Sequence, residues 1–267
     1  MSITYAINHP CPVKETLGGD SEFLSLLRYQ ELTRAAKRRA RRKKLNFEEV
    51  TVTTPLITAE GVEQQEEPLL ELIEQLKPLE ELVKHCADCP ACVMSEQFGC
   101  FDDFPSPITD EAEEWLHDRI PRELPDWVAR GWRLFWKEGR ADAALIGGLR
   151  EKGREYLQAE SAWTISVTSD KRPVSFNANE LLAALFGAGR LAPDEGLMLL
   201  GMLGVLDADV DEPEDEERPV IETDEGRFAF DLQPISVDDQ STRNLKTYLF
   251  AVFYAAVLEV SLQVNFA

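Results

Sequence analysis

Histidine is scarce in this 267-residue chain, with only His9, His85 and His117. None falls in a recognisable triad context, and neither a G-x-S-x-G elbow nor a P-loop is present. Nucleophilic and phosphate-cradling catalysis therefore have no foothold, and the protein is read as non-enzymatic. Long hydrophobic runs are also missing. The most apolar stretch, Leu249 to Leu258, holds ten residues between Lys246 and Glu259. A membrane helix needs about twenty, so this stretch is read as a buried helix and no membrane span is expected. The first ten residues lack the basic n-region and the apolar run of a secretory signal. The expected location is cytoplasmic, where thiols stay reduced. Positive charge is in deficit too, with 28 Lys and Arg against 49 Asp and Glu for a net charge of -21. Such an excess repels phosphate polymers from the molecule as a whole.

What the chain does have is cysteine in one place. Four of its five cysteines, Cys86, Cys89, Cys92 and Cys100, fall between residues 86 and 100 with the spacing C-x2-C-x2-C-x7-C. A C-x2-C pair in a tight turn presents two sulfurs to one ion, and four thiolates close the tetrahedron of a structural Zn2+ site. Phe98-Gly99 before Cys100 offers a turn with glycine freedom. The even spacing of the first three also occurs in ferredoxin-type ligation of a [4Fe-4S] cluster, where a remote cysteine followed by proline completes the set. Cys11, between Pro10 and Pro12, fits that description, so Cys11 and Cys100 compete for the fourth position. His85 is too close to Cys86 for both to reach one ion comfortably. Burial alone does not account for four cysteines in fifteen positions.

Charge is unevenly spread. Residues 1–45 carry ten basic and four acidic residues, a local +6, leaving -27 for the remainder. Arg34, Lys37, Arg38, Arg39, Arg41, Arg42, Lys43 and Lys44 fill eight of eleven positions. They read as the second half of a helix begun by Phe23, Leu24, Leu27 and Leu32. With nothing larger than alanine among them, that half is expected to lack a core-facing stripe and to project into solvent. Its expected partner is a protein, or acidic surface of this chain or a second copy. Nucleic acid is possible only through residues 34–44. Residues 207–217 hold eight acids. They mimic the first positions of an EF-hand, but Glu212 and Arg218 stand where glycine and glutamate are required, so the run reads as a solvated loop. Glu114-x-x-His117 is half of a di-iron motif without its second half. Gly187-Ala-Gly189 follows a helix instead of a strand, which discounts a dinucleotide loop.

Three segments are expected: an N-terminal segment over 1–45 with the basic helix, a linker over 46–68 where Pro55 breaks a strand-like run, and a helical body over 69–267. Strands are expected over 2–8, 162–168, 227–232 and 263–266. Helices are expected to be capped at Thr109 or Asp110 and at Asn177, with a last helix over Ser241 to Val260. The fold class is mainly α with a few short β-strands (α+β), with an irregular metal-clipped loop in the first half. The expected role is that of a metal-binding interaction or assembly factor. An iron-sulfur redox or sensor protein is the alternative, and a nucleic-acid-associated factor the second alternative.

Overall fold

The computed structural model describes residues 2–58, 61–94, 97–153, 163–169, 172–208, 220–224 and 226–266. Most of the acidic run 207–217 lies outside these residues. The architecture is α+β. Among the described residues, twelve strands form four small sheets, and no helix is long and apolar enough to cross a membrane. The chain divides into a large unit, residues 1–9 with 93–267, and a small unit, Pro10–Cys92.

The large unit is built on a four-stranded antiparallel sheet in the order Phe101–Pro105, Ser2–Ile7, Leu262–Phe266, Arg190–Leu191. Ser2–Ile7 is a central strand, and Ile3, Tyr5 and Ile7 on one face and Ala6 on the other are all buried, so the sheet is covered on both sides of it. The helix Gln240–Val257 contributes the residues that cover this core. Tyr248 lies edge-on to Tyr5 with ring centroids 5.0 Å apart, and Phe104 and Phe186 approach within 5.9 and 5.2 Å. Each such pair adds about 0.5–1.5 kcal/mol beyond its area burial. The helix Pro193–Met202 packs against Gln240–Val257 at Gly196, where a Cβ would come 2.9 Å from Val252. Its other neighbour is the tryptophan-rich helix Asp126–Lys137, whose Trp132 and Phe135 are buried. The 83 residues of the small unit thus leave from one strand, Ser2–Ile7, and return just before its paired neighbour, Phe101–Pro105.

The small unit packs one long helix, Asp20–Lys43, on a hairpin of Thr51–Thr58 and Gly61–Pro68 and on the short helix Leu69–Gln75. The stretch 46–68, expected as a linker, is therefore mostly this hairpin. Pro55 does not break it, because a two-stranded ribbon consists of edge strands only, where proline is tolerated. The Thr54 hydroxyl donates to Glu67 at 2.8 Å across the ribbon. Val52, Leu69 and Leu72 form a buried cluster with Leu32 and Ala36 of the long helix packed on it. Ala40, one further turn along, is 1% exposed. The second half of the long helix thus has a core-facing stripe after all, in which Ala36 and Ala40 continue the line begun by Leu32.

The metal-clipped loop expected in the first half is not what the structure shows. The apolar-periodic stretch after residue 68 forms two short helices, Leu69–Gln75 and Lys77–Leu82, and then a 3-10 turn, Val83–Cys86. Tight turns follow. Among the described residues, no group of three or more His, Cys, Asp or Glu side chains is arrayed to hold a metal ion. The left-handed backbone expected of glycine before Cys100 falls instead on Phe98, at φ 50°, with its side chain buried.

Candidate functional site

The cysteines sit on successive turns. The Cys89 amide donates to the Cys86 carbonyl at 3.2 Å, and the Cys92 amide to the Cys89 carbonyl at 3.0 Å. Each C-x2-C step is thus one i to i+3 turn, the conformation that brings alternate thiols to one side. Cys11 enters from the other end of the unit. It stands at the N-cap of the helix Pro12–Leu17, its carbonyl accepting from the Glu15 amide at 3.2 Å, and that helix packs against the turn Val83–Cys86.

Burial pushes the Cys86 thiol up to about 12, and Cys92, Cys89 and Cys11 each add to the shift. Burial also raises Cys89, and Cys92 contributes to that rise. The cause is physical: a thiolate among other thiolates, out of water, is stable only beside a cation. Cys100 is buried in the large unit, and its carbonyl accepts from the Ile7 amide at 2.8 Å. His85, next to Cys86, is exposed. The donor chemistry of Cys11, Cys86, Cys89 and Cys92 suits Zn2+ or an iron-sulfur cluster. As they stand, the thiols are gathered without surrounding a common centre.

The basic helix is the second candidate. Arg34, Arg38, Arg39, Arg41, Arg42, Lys43 and Lys44 are exposed, and Lys37 is half-buried. Arg34 pairs with Glu31 at 2.5 Å. A groove of about 510 Å³ runs between this helix and the hairpin, and Arg39, Lys43, Glu49 and Glu66 are among the residues lining it. On the helix's outer side, Ala35 leaves a shallow hollow rimmed by Arg38, Arg41 and Arg42.

A third polar constellation lies in the large unit and was not evident from the sequence. Glu113, on the helix Asp110–Arg119, pairs with Arg150 at 2.5 Å; both side chains are fully enclosed. His117 lies one turn on, its ring 4.0 Å from that of Trp163 and its buried Nε2 without a hydrogen-bond partner among the described residues. Burial holds the His117 imidazole below its ordinary value. The sequence signal was Glu114-x-x-His117, yet the buried acid is Glu113, at the i,i+4 position on the inner face.

Comparison with protein-family models, curated proteins and solved structures finds no match for this chain.

Proposed function

We propose that this chain is a non-enzymatic metal-binding protein in which Cys11, Cys86, Cys89 and Cys92 hold one structural zinc ion. Zinc would supply tetrahedral cross-linking and no open coordination position for chemistry. The observation that carries this reading is the company of Cys86: Cys89 and Cys92 follow it on successive turns, and the helix that begins at Cys11 packs against the turn Val83–Cys86, so the cysteines come from the two ends of the small unit. Joining those ends removes loop-closure entropy from the unfolded chain, where long loops gain most. The unit supported in this way acts as an interaction or assembly factor through its exposed cationic helix.

A [4Fe-4S] cluster is the second reading. It is favoured by the three evenly spaced cysteines together with a remote Cys11-Pro12, a ferredoxin-like ligand pattern. Metal analysis of the full chain purified without oxygen decides between them. A colourless protein with zinc near one per chain supports the first reading. A brown protein with iron and acid-labile sulfide supports the second. Cys92→Ser should lower metal content and melting temperature together. A full chain that carries neither metal nor cluster when refolded with each would overturn both.

A further inference from the structure

The structure sorts the eight basic residues in a way that the sequence does not. Leu32, Ala36 and Ala40 turn toward the hairpin. With 3.6 residues per turn, Arg34, Arg38, Arg41 and Arg42 fall within about 100° of one another on the opposite side. Between Arg34 and Arg42 this ridge runs for about 12 Å at 1.5 Å per residue. Arg38, Arg41 and Arg42 make no ion pair with the described residues; Arg34 shares Glu31. The ridge is entirely arginine, whose planar guanidinium matches phosphate oxygens two at a time. It carries no aromatic side chain on which unstacked bases could lie. It lacks the buried aromatic or aliphatic anchors that dominate protein interfaces, and the apolar stripe that a membrane-surface helix would need is already spent on the hairpin.

The acidic excess also lies elsewhere. The small unit holds twelve Lys and Arg against fifteen Asp and Glu, a net -3, leaving -18 to the rest of the chain. We propose that the ridge Arg34–Arg38–Arg41–Arg42 binds the phosphate backbone of a double-stranded nucleic acid without reading its bases. The inference rests on the small unit being an interaction module, and it is independent of which metal, if any, the thiols hold. Duplex DNA presents one charge per about 1.7 Å of axis, so a 12 Å ridge faces several phosphates at once.

The test uses the full chain and a fluorescent duplex of about 20 base pairs, made once as DNA and once as RNA, titrated at about 50 and about 200 mM salt. Four phosphate contacts predict a roughly hundredfold loss of affinity between the two salts. The triple variant Arg38→Gln/Arg41→Gln/Arg42→Gln leaves one contact and should show only about a fourfold loss, from a much weaker start. The three residues are exposed, so its circular dichroism and melting should match the parent. Tighter binding of either duplex identifies the source of the phosphates. Absence of binding at the lower salt overturns the proposal, as does binding that the triple variant leaves intact. Displacement of the duplex by polyglutamate at equal charge concentration overturns it in favour of an acidic protein. Metal content is measured on the same samples. A metal-loaded chain that ignores the duplex thus counts against this inference alone, and a metal-free chain that binds it counts against the metal site alone.

Discussion

In the large unit, the ring of Tyr248 sits among those of Tyr5, Phe104 and Phe186, and its hydroxyl donates to the Leu185 carbonyl. In the small unit, the corresponding contact is made by Leu32 and Ala36 over Val52, Leu69 and Leu72. The helices also begin differently. In the large unit Thr109, Asn177 and Asp239 cap theirs with side-chain oxygens, whereas Asp126–Lys137 and Pro193–Met202 start without one. In the small unit, the four α-helices start at Cys11, Gly19, Pro68 and Leu76, none with a side-chain cap. One unit draws its stability from aromatic burial and three side-chain-capped helices. The other combines a thin core with thiols from its two ends. The difference teaches where an external cross-link matters: a fully buried large apolar side chain contributes about 1.5–3 kcal/mol, and the small unit has few of them for 83 residues.

Metal removal should break the comparison most strongly. Structural zinc contributes on the order of 10–16 kcal/mol in small zinc-binding peptides, as much as the whole stability of a typical domain, about 5–15 kcal/mol. All five tryptophans, Trp115, Trp127, Trp132, Trp136 and Trp163, belong to the large unit. A chelator should therefore remove helical circular dichroism while leaving tryptophan fluorescence nearly unchanged. Fluorescence and dichroism falling together would show that the two units are not separately stabilised.

The next effect belongs to the large unit. Glu113→Ala leaves Arg150 charged and buried, at a cost of about 3–5 kcal/mol, and tryptophan fluorescence should report an earlier melt. Replacing both, as Glu113→Leu/Arg150→Met, should be close to neutral, because the pair's desolvation is removed along with its attraction. Burial raises the Glu113 carboxyl above its ordinary value, although the hydrogen bond and charge of Arg150 pull it back. The folded state therefore holds this proton more tightly than the unfolded chain. Its contribution to stability is fullest below the ordinary glutamate range and is lost as pH rises through the raised value. Glu113→Gln should abolish that slope.

The small unit gives a smaller effect. Ala40→Leu forces three extra heavy atoms into a contact where the side chain is already fully enclosed. Overpacking of this kind costs about 1–3 kcal/mol. Thermal dichroism should show the loss in the small unit, again with little change in fluorescence. An unchanged melt would mean that helix and hairpin can separate freely at Ala40.

These sites also mark how far the sequence can be read. Strand Ser2–Ile7, the caps at Thr109 and Asn177, and the last helix follow from alternation, cap chemistry and 3.6-residue spacing, all of which are local. The hairpin at 51–68 is not legible because its polar residues are held by cross-strand pairing, such as Thr54 opposite Gln65, and by side-chain bonds such as Thr54 to Glu67, and not by an apolar pattern. The Leu32–Ala36–Ala40 stripe is not legible because alanine counts for little in a hydrophobic pattern, yet it is buried as readily as a larger apolar residue. The approach of Cys11 to the other cysteines depends on the packing of the helix Pro12–Leu17 against the turn Val83–Cys86, about seventy residues further along the chain. The choice of Glu113 over Glu114 needed the inner face of a helix to be known.

The mildest expected effect sharpens the contrast in helix ends. Asp239 accepts from the Thr242 amide at 2.7 Å and from the Thr109 hydroxyl at 2.8 Å, while Thr109 itself caps the helix Asp110–Arg119. Two helices 130 residues apart in sequence thus share one pair of capping side chains. Burial tends to raise the Asp239 carboxyl, but the hydrogen bonds from Thr242 and Thr109 outweigh it and hold it below the ordinary aspartate value. A depressed carboxylate contributes stability above its unfolded range and loses it as pH falls through the folded value. Asp239→Ala should cost about 1 kcal/mol near neutral pH, the usual worth of a cap. Asp239→Asn should retain most of the cap while removing its share of the acid-side slope, because the amide oxygen still accepts but no proton is taken up. If Asp239→Asn and Asp239→Ala melt alike at neutral pH, the negative charge and not the cap geometry supports the helix. The two units would then differ in the electrostatics of their helix ends and not in whether those ends are satisfied.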